Sequence, residues 1–153
     1  MDAGPERCLA GPRSGLPTVI VPGCVDMANF WSVESMPKEF QNRVLYRWNP
    51  NVTLMRTNVE ENREIGRRIA AAANAATGSV MILIPKRGVS VLDSEGSEFW
   101  DPAADQACFN AIHAGLRSGI PVIEMDCNIN DPEFSMEIAK QMQQLLNPTQ
   151  VTF

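Results

Sequence analysis

The chain has 153 residues and a formal net charge of −5, with 44% hydrophobic and 20% charged residues. These values are typical of one globular domain and exclude wholesale disorder. An acidic chain lacks the basic surface that nucleic acid or an anionic membrane requires, so we expect neither as a partner.

The sequence favours a cytoplasmic protein. No apolar run approaches the roughly 20 residues of a membrane-spanning helix. The N-terminus does not show the basic segment followed by an apolar one that a secretory signal would have. The four cysteines form no CxxC pair, and no histidine stands at a metal-ligand spacing from them. We therefore expect reduced thiols and no resident metal site.

Residues 1–16 are rich in glycine and proline, and we predict a flexible lead-in there, followed by a single α/β domain over residues 17–153. Four apolar runs predict strands, at residues 18–21, at 44–46 together with 52–55, at 80–84 and at 121–125. The first and third runs are continuous rather than alternating, which is typical of strands buried on both faces.

Helix start signals separate these runs. Asn58, with Glu61 three residues later, forms a capping-box pattern that predicts a helix over residues 59–76. An aspartate cap followed by proline opens two further helices, at Asp101-Pro102 and Asp131-Pro132. The alternation of strands and helices predicts a Rossmann-like α/β fold, a three-layer sandwich with a mainly parallel sheet and helices on both faces.

In a parallel sheet, ligands bind outside the carboxyl ends of the strands. The residues that follow the predicted strands, or that lie in the turn between the halves of the second one, include Asp26, Asn29, Arg47, Asn49, Arg56, Gly88, Ser90, Asp93, Asp126, Asn128 and Asn130. Four separate segments thus deliver polar groups to one edge of the sheet, which predicts a convergent site. The alternative is that these loops are polar only because loops generally are.

The chemistry of this set is mixed. Its arginines, together with Arg87, could hold a carboxylate or phosphate, or form surface salt bridges instead. Gly88 would let backbone N–H groups approach an anion, although the spacing of a Walker loop is absent. Asp26, Asp93 and Asp126 suit a bound Mg²⁺ or a general base. No complete catalytic signature is present, so catalytic residues stay unassigned.

Four stretches, taken in order, resemble the Tm-one-like ATP-binding domain protein family, which includes tobamovirus-resistance proteins. They are VPGCVDMANF (residues 21–30), YRWNPNVTLMRT (46–57), IPKRGVS (84–90) and DCNINDPEF (126–134). Further matching positions are Asp93, Phe99, Asp101, Pro102 and Ala104. The combination is specific, and it covers residues 16–146.

The resemblance implies a protein of two α/β domains, of which this chain is most of the second. It also implies ATP with Mg²⁺ as the ligand, the N-terminal domain or a partner chain as a neighbour, and self-association into a homo-oligomer. From the matched stretches, the resemblance implies that a nucleotide or small-anion site is formed by the candidate ligand-binding residues Asp26, Asn29, Arg47, Asn49, Arg56, Gly88, Ser90, Asp93, Asp126 and Asn130. Two alternatives stay open: an enzyme acting on a small anionic or carbonyl substrate with an aspartate base and arginine anchors, and a structural or oligomerisation module.

Overall fold

The computed structural model describes residue 4 and residues 6–147. Residues 1–3, 5 and 148–153, which belong to the predicted lead-in and to the end of the predicted domain, lie outside the described part of the chain. The elements in chain order are α1 (Ala10–Arg13), β1 (Thr18–Ile20), β2 (Met27–Phe30), β3 (Leu45–Asn49), β4 (Val52–Arg56), α2 (Val59–Asn74), β5 (Val80–Pro85), α3 (Pro102–Gly115), β6 (Val122–Met125) and α4 (Pro132–Leu146). Across the described residues, no helix has the combination of length and hydropathy that a bilayer crossing requires.

The central layer is a three-stranded parallel sheet with the order β1-β5-β6. All residues of β5 are buried, and alternate side chains serve the two faces of the sheet. On one face Ile82 packs with Ile69 of α2 and Ile112 of α3, and on the other Leu83 packs with Phe134 of α4. Helices therefore cover both faces, which confirms the predicted α/β architecture.

The second apolar run does not join the parallel sheet. It folds into the hairpin β3–β4, and β2 pairs with the other side of β4, giving an antiparallel sheet with the order β2-β4-β3. The physical reason is the connection: Pro50 and Asn51 alone join the two strands, whereas a parallel crossover needs a dozen or more residues. The fold thus carries a second sheet beside the predicted layers.

The predicted N-cap residues stand directly before α2, α3 and α4, and those of α2 and α3 make capping hydrogen bonds. The Asn58 side chain accepts from the Glu61 N–H at 2.9 Å and the Glu61 carboxylate accepts from the Asn58 N–H at 2.7 Å, which completes the capping box of α2. Asp101 caps α3 through a hydrogen bond of 3.1 Å from the third residue of the helix. Asp131 makes no such bond to α4, because its carboxylate accepts from the Asn128 N–H at 2.8 Å instead.

The described part of the predicted lead-in packs against the rest of the chain. Pro12 of α1 is buried, and its carbonyl accepts a hydrogen bond of 3.1 Å from the Thr77 N–H. A Cβ added to Gly78 would lie 2.2 Å from the carbonyl oxygen of Gly15, so the two backbones are in close contact there. These contacts attach α1 to the loop between α2 and β5.

Candidate functional site

A cleft of ≈ 920 Å³ lies between the two sheets. One wall consists of loops at the carboxyl ends of the parallel strands: Cys24 after β1, residues 89–92 after β5, and Ile129 and Asn130 after β6. The other wall is formed by the antiparallel sheet. The cleft therefore occupies the position at which ligands bind in open α/β sheets.

Most of the wall from the antiparallel sheet is apolar. Met27, Asn29, Phe30 and Trp31 line the cleft from β2 and the residue that follows it, while Val52 and Leu54 line it from β4. The Asn29 amide is the polar side chain that β2 contributes to this wall.

A bulge in the hairpin brings a second indole to the cleft. The pairing register of β3 and β4 shifts between Arg47 and Asn49, which leaves Trp48 as the additional residue. A bulge bends its strand and re-aims a side chain. Trp48 and Trp31 both line the cleft while remaining 64% exposed, so two indole rings are accessible from solvent.

No residue that lines the cleft carries a charged side chain. Its polar groups are the amides of Asn29, Asn49 and Asn130 and the hydroxyls of Ser35 and Ser90. Within the described part of the chain, the Asn29 side chain makes no hydrogen bond. The cleft is thus an apolar surface with a few amide groups that can both donate and accept.

Arg56 is the centre of a buried polar cluster beside the cleft. The residue is 5% exposed. Its Nη2 donates to Asp105 Oδ1 at 2.7 Å and to Asp93 Oδ1 at 3.3 Å, and its Nε donates to the Phe99 carbonyl at 2.7 Å. Because Arg56 ends β4, Asp93 follows β5 and Asp105 lies in α3, this guanidinium joins the antiparallel sheet to the rest of the fold.

A chain of hydrogen bonds connects Asp26 to the same cluster. Ser90 Oγ donates to Asp26 Oδ2 at 2.7 Å and accepts from the Asp93 N–H at 3.2 Å, and Asp93 Oδ2 accepts from the Val89 N–H at 2.9 Å. Asp26 is fully buried, and its Oδ1 has no hydrogen-bond partner among the described residues. Since Val89 and Ser90 also line the cleft, the cluster fixes one of its walls.

Burial raises the pKa of the three carboxyl groups in this cluster. The pKa of Asp93 rises to about 7, because burial and the neighbouring Asp105 outweigh the Val89 N–H and the charge of Arg56. Burial is also the main cause of the raised pKa of Asp26 and of Asp105. A single guanidinium only partly offsets the burial of three carboxyl groups, so the pKa of each stays above its ordinary value.

The predicted site residues divide between the cluster, the cleft and other positions. The buried cluster contains Asp26, Arg56, Ser90 and Asp93. The cleft lining contains Asn29, Asn49, Asn130 and, again, Ser90. Arg47, Gly88 and Asp126 belong to neither group. Asp126 forms an exposed ion pair with Arg87 at 2.9 Å, and Arg47 is an exposed residue of β3.

Gly88 is required by the packing of its own loop. Its φ is +116°, a region that favours glycine. A Cβ at this position would lie 1.7 Å from the carbonyl oxygen of Asp93. The N–H groups of Lys86, Arg87 and Val89, on either side of the glycine, all donate to acceptors within the chain. The loop therefore does not direct these three groups at an anion.

The aspartates predicted to suit Mg²⁺ are not brought together as one cation site. Among the described residues, the group whose ligand atoms lie within 4.8 Å of one another consists of Cys127, Asp131 and Glu133. The Asp131 carboxylate already accepts the Asn128 N–H at the start of α4. The cleft lining contains no carboxylate, so it offers Mg²⁺ none of the ligands that it prefers.

Sequence reasoning missed Asp105, a buried aspartate in the first turn of α3 that no local pattern distinguishes. Asn128, which was among the residues that follow the fourth predicted strand, helps to build the site. Its Nδ2 donates at 3.1 Å to the carbonyls of Arg87 and Ser90, which ties the loop after β6 to the loop after β5.

The chain is similar to several known proteins. Residues 1–146 match the domain described as Uncharacterised protein family (UPF0261) C-terminal domain. A UPF0261 protein of Clostridium tetani is 42% identical over 143 residues, which are 93% of this chain and 35% of that protein. UPF0261 protein RA0729 of Rhizobium meliloti is 45% identical over 150 residues, which are 97% of this chain and 38% of that protein.

A plant protein is also similar. The ToMV resistance protein Tm-1(GCR237) of Solanum lycopersicum is 37% identical over 122 residues, which are 78% of this chain and 16% of that protein. The chain therefore spans 35–38% of the length of the two bacterial relatives and a smaller share of the plant one.

Proposed function

The chain belongs to the UPF0261 family, whose C-terminal domain it matches, and we propose that it supplies one half of a binding site for a nucleotide-type ligand. The cleft between the two sheets is the observation that carries this proposal. It lies at the carboxyl ends of the parallel strands, where ligands of α/β domains bind, and a buried cluster fixes one of its walls.

The second half of the site belongs to the rest of a longer protein. The bacterial relatives are nearly three times as long as their match to this chain, which covers 35% and 38% of them. The resemblance to ATP-binding domain proteins favours ATP as the ligand. The uncharged lining means that phosphates and Mg²⁺ would need partners from outside this cleft.

A thermal-shift and calorimetric titration of the chain tests the proposal. The ligands are ATP, ADP and small dicarboxylates, each with and without Mg²⁺. Because ligand binding to the native state raises apparent stability, a ligand at 100 times its Kd adds about 2.7 kcal/mol. We expect saturable stabilisation by the nucleotides. No stabilisation by any of these ligands would contradict a ligand site in this chain and leave it as a structural partner of the domain that binds the ligand.

A pair of variants locates the binding site. Asn29→Trp adds bulk inside the cleft without removing a hydrogen bond of the described structure, and we expect it to abolish nucleotide binding. Gln144→Trp places the same side chain on the exposed surface of α4 and serves as the control. Equal binding by both variants would show that the ligand binds elsewhere.

The exposed apolar residues of the cleft favour a second function, in which this surface binds a second copy of the chain. Trp31 and Trp48 are each 64% exposed and Val91 is 70% exposed, and all three line the cleft. Exposed apolar groups that stand together mark interaction sites. In this case light scattering would show a concentration-dependent dimer that Val91→Asp weakens. A strict monomer at high concentration would exclude this function for the chain alone.

The enzymatic alternative lacks an arginine anchor in the cleft, because none of Arg47, Arg56 and Arg87 lines it. It requires arginines that anchor an anionic substrate. Arg56 forms ion pairs with Asp93 and Asp105, and Arg87 forms one with Asp126. Neither arginine lines the cleft.

A further inference from the structure

We propose that the part of the ligand held by this cleft is a flat, uncharged heteroaromatic ring, and that anionic groups of the ligand lie outside it. The inference deepens the proposed function and rests on it, because it names the chemical class that the cleft binds.

The charge distribution excludes an anion from the cleft. The lining contains no lysine, arginine or histidine. The buried cation beside the cleft, Arg56, already donates to two carboxylates. Lys86 and Arg87, which follow β5, pair with Glu124 and Asp126. A phosphate that entered the cleft would lose hydration without gaining a charged donor, and it would lie beside a cluster that is rich in carboxyl groups.

The indole rings provide the surface that a flat ring requires. Trp31 and Trp48 line the cleft from opposite edges of the antiparallel sheet, since they adjoin β2 and lie in β3. Aromatic side chains bind bases by stacking, and this interaction tolerates any base because every base has a π face. The apolar side chains of Val52, Leu54 and Leu92 complete a surface that favours an uncharged ring.

The amides provide groups that can recognise the polar edge of a heterocycle. Asn49 uses its Oδ1 to accept from the Asn51 N–H at 2.8 Å, and Asn130 uses its Nδ2 to donate to Asn128 Oδ1 at 3.0 Å. Asn29 makes no side-chain hydrogen bond with the described residues. The lining therefore retains both amide donors and amide acceptors, which match the ring nitrogens and exocyclic groups of a heterocycle.

Isothermal titration of the chain separates the ring from the anion. The probes are adenosine, guanosine, cytidine, uridine, inorganic pyrophosphate and ATP, all without Mg²⁺. We expect at least one nucleoside to bind and to change the tryptophan fluorescence, and pyrophosphate not to bind. Binding of ATP without binding of any nucleoside would overturn the inference while leaving the proposed nucleotide site intact. Binding of none of these probes would overturn both.

Two variants test the mode of binding. Trp48→Leu removes the ring but keeps an apolar side chain at an exposed position, so the fold should be retained, and we expect affinity for the nucleoside to fall about tenfold. The control is Val44→Ala, which removes an exposed apolar group beside β3 that does not line the cleft. If Trp48→Leu binds as tightly as the control, stacking in the cleft is refuted.

Discussion

Arg56 is buried between two carboxylates, with its Nη2 2.7 Å from Asp105 and 3.3 Å from Asp93. Methionine at this position would keep much of the apolar volume and remove the charge, so both carboxyl groups would lose their cationic partner. Removing one partner of a buried ion pair costs about 3–5 kcal/mol. We expect Arg56→Met to lower the free energy of unfolding by about that amount in urea denaturation.

The control for Arg56 is Arg87→Met. Arg87 forms an exposed ion pair with Asp126, and exposed pairs contribute little to stability. We therefore expect the urea midpoint of this variant to stay close to that of the wild type. Equal losses in the two variants would mean that the buried cluster has no special role in stability.

Asp93 makes the stability of the protein depend on pH. Its pKa is about 7 in the folded state, against about 3.9 for an unfolded aspartate. Because the folded-state pKa is the higher one, the stability it contributes is present below about pH 4 and is lost as the pH rises through about 7. We expect Asp93→Asn to avoid this loss, so its stability relative to the wild type rises between pH 5 and pH 8, by at most about 1.4 kcal/mol per pH unit.

Urea denaturation at a series of pH values measures this difference, and Asp126→Asn is its control. The Arg87 guanidinium lowers the pKa of the exposed Asp126. A carboxyl group with a lowered pKa contributes stability that is lost as the pH falls, so its pH dependence is opposite to that of Asp93. A wild-type pH dependence that Asp93→Asn leaves unchanged would show that Asp93 does not hold the proton.

At the level of elements, α2 and α3 cross in contact at Gly66. A Cβ there would lie 2.3 Å from the Cys108 carbonyl oxygen and 2.9 Å from the Ala111 Cβ. Alanine is ordinarily better than glycine inside a helix by about 0.5–1 kcal/mol. The backbone of α3 leaves no room for a methyl group at this position. We therefore expect Gly66→Ala to destabilise the protein despite the better helix propensity of alanine, and to lower the free energy of unfolding by about 1–3 kcal/mol.

Thermal and urea denaturation measure the effect, with Arg67→Ala as the neighbouring control. Arg67 is exposed on α2, so its truncation adds no atom between the helices. We expect it to change stability far less than Gly66→Ala does. A stabilised Gly66→Ala variant would mean that the helices can separate without loss of packing.

The elements that were predictable from the sequence are those with local signals. Asn58 and Glu61 lie three residues apart and fix the start of α2 between them. The continuous apolar run of β5 indicated a strand buried on both faces. The pairing of β3 with β4 was not predicted, because an apolar run alone does not show which sheet it joins. The short turn at Pro50 and Asn51 was the feature that indicated an antiparallel hairpin.

The site was predicted in part for the same physical reason. The carboxyl-end rule selected the loops after β5 and β6, from which Ser90 and Asn130 line the cleft, whereas Asn29 and Asn49 line it from the antiparallel sheet, to which the rule does not apply. The rule could not show that Arg56 points inward, because its partner Asp105 is 49 residues away in the chain. Long-range pairs of this kind leave almost no local trace in a sequence.

At the level of the whole molecule, the antiparallel sheet packs in an apolar cluster of its own. The helices pack on the parallel sheet in two clusters, one on each face, whereas Leu54 of β4 packs with Leu92 and Phe99 from the segment between β5 and α3. This cluster, Arg56, the Asp26–Ser90 hydrogen bond and the Arg43–Glu61 ion pair connect the antiparallel sheet to the rest of the fold. We infer two units that open separately, with the cleft between them, so the shape of the cleft depends on how firmly the units are joined.

Ser90→Ala tests this division. The substitution removes the donor to Asp26 Oδ2 and leaves a fully buried carboxyl group without the hydrogen bond that holds it to the loop after β5. We expect faster native-state hydrogen exchange in β2, β3 and β4, and unchanged protection in β5, whose residues are all buried in the other unit. The loss of a hydrogen bond to a buried carboxyl costs about 1–3 kcal/mol, enough to raise opening rates in the antiparallel sheet roughly tenfold or more. An equal acceleration in β5 would mean that the two sheets unfold as one unit, and that the cleft cannot widen without global unfolding.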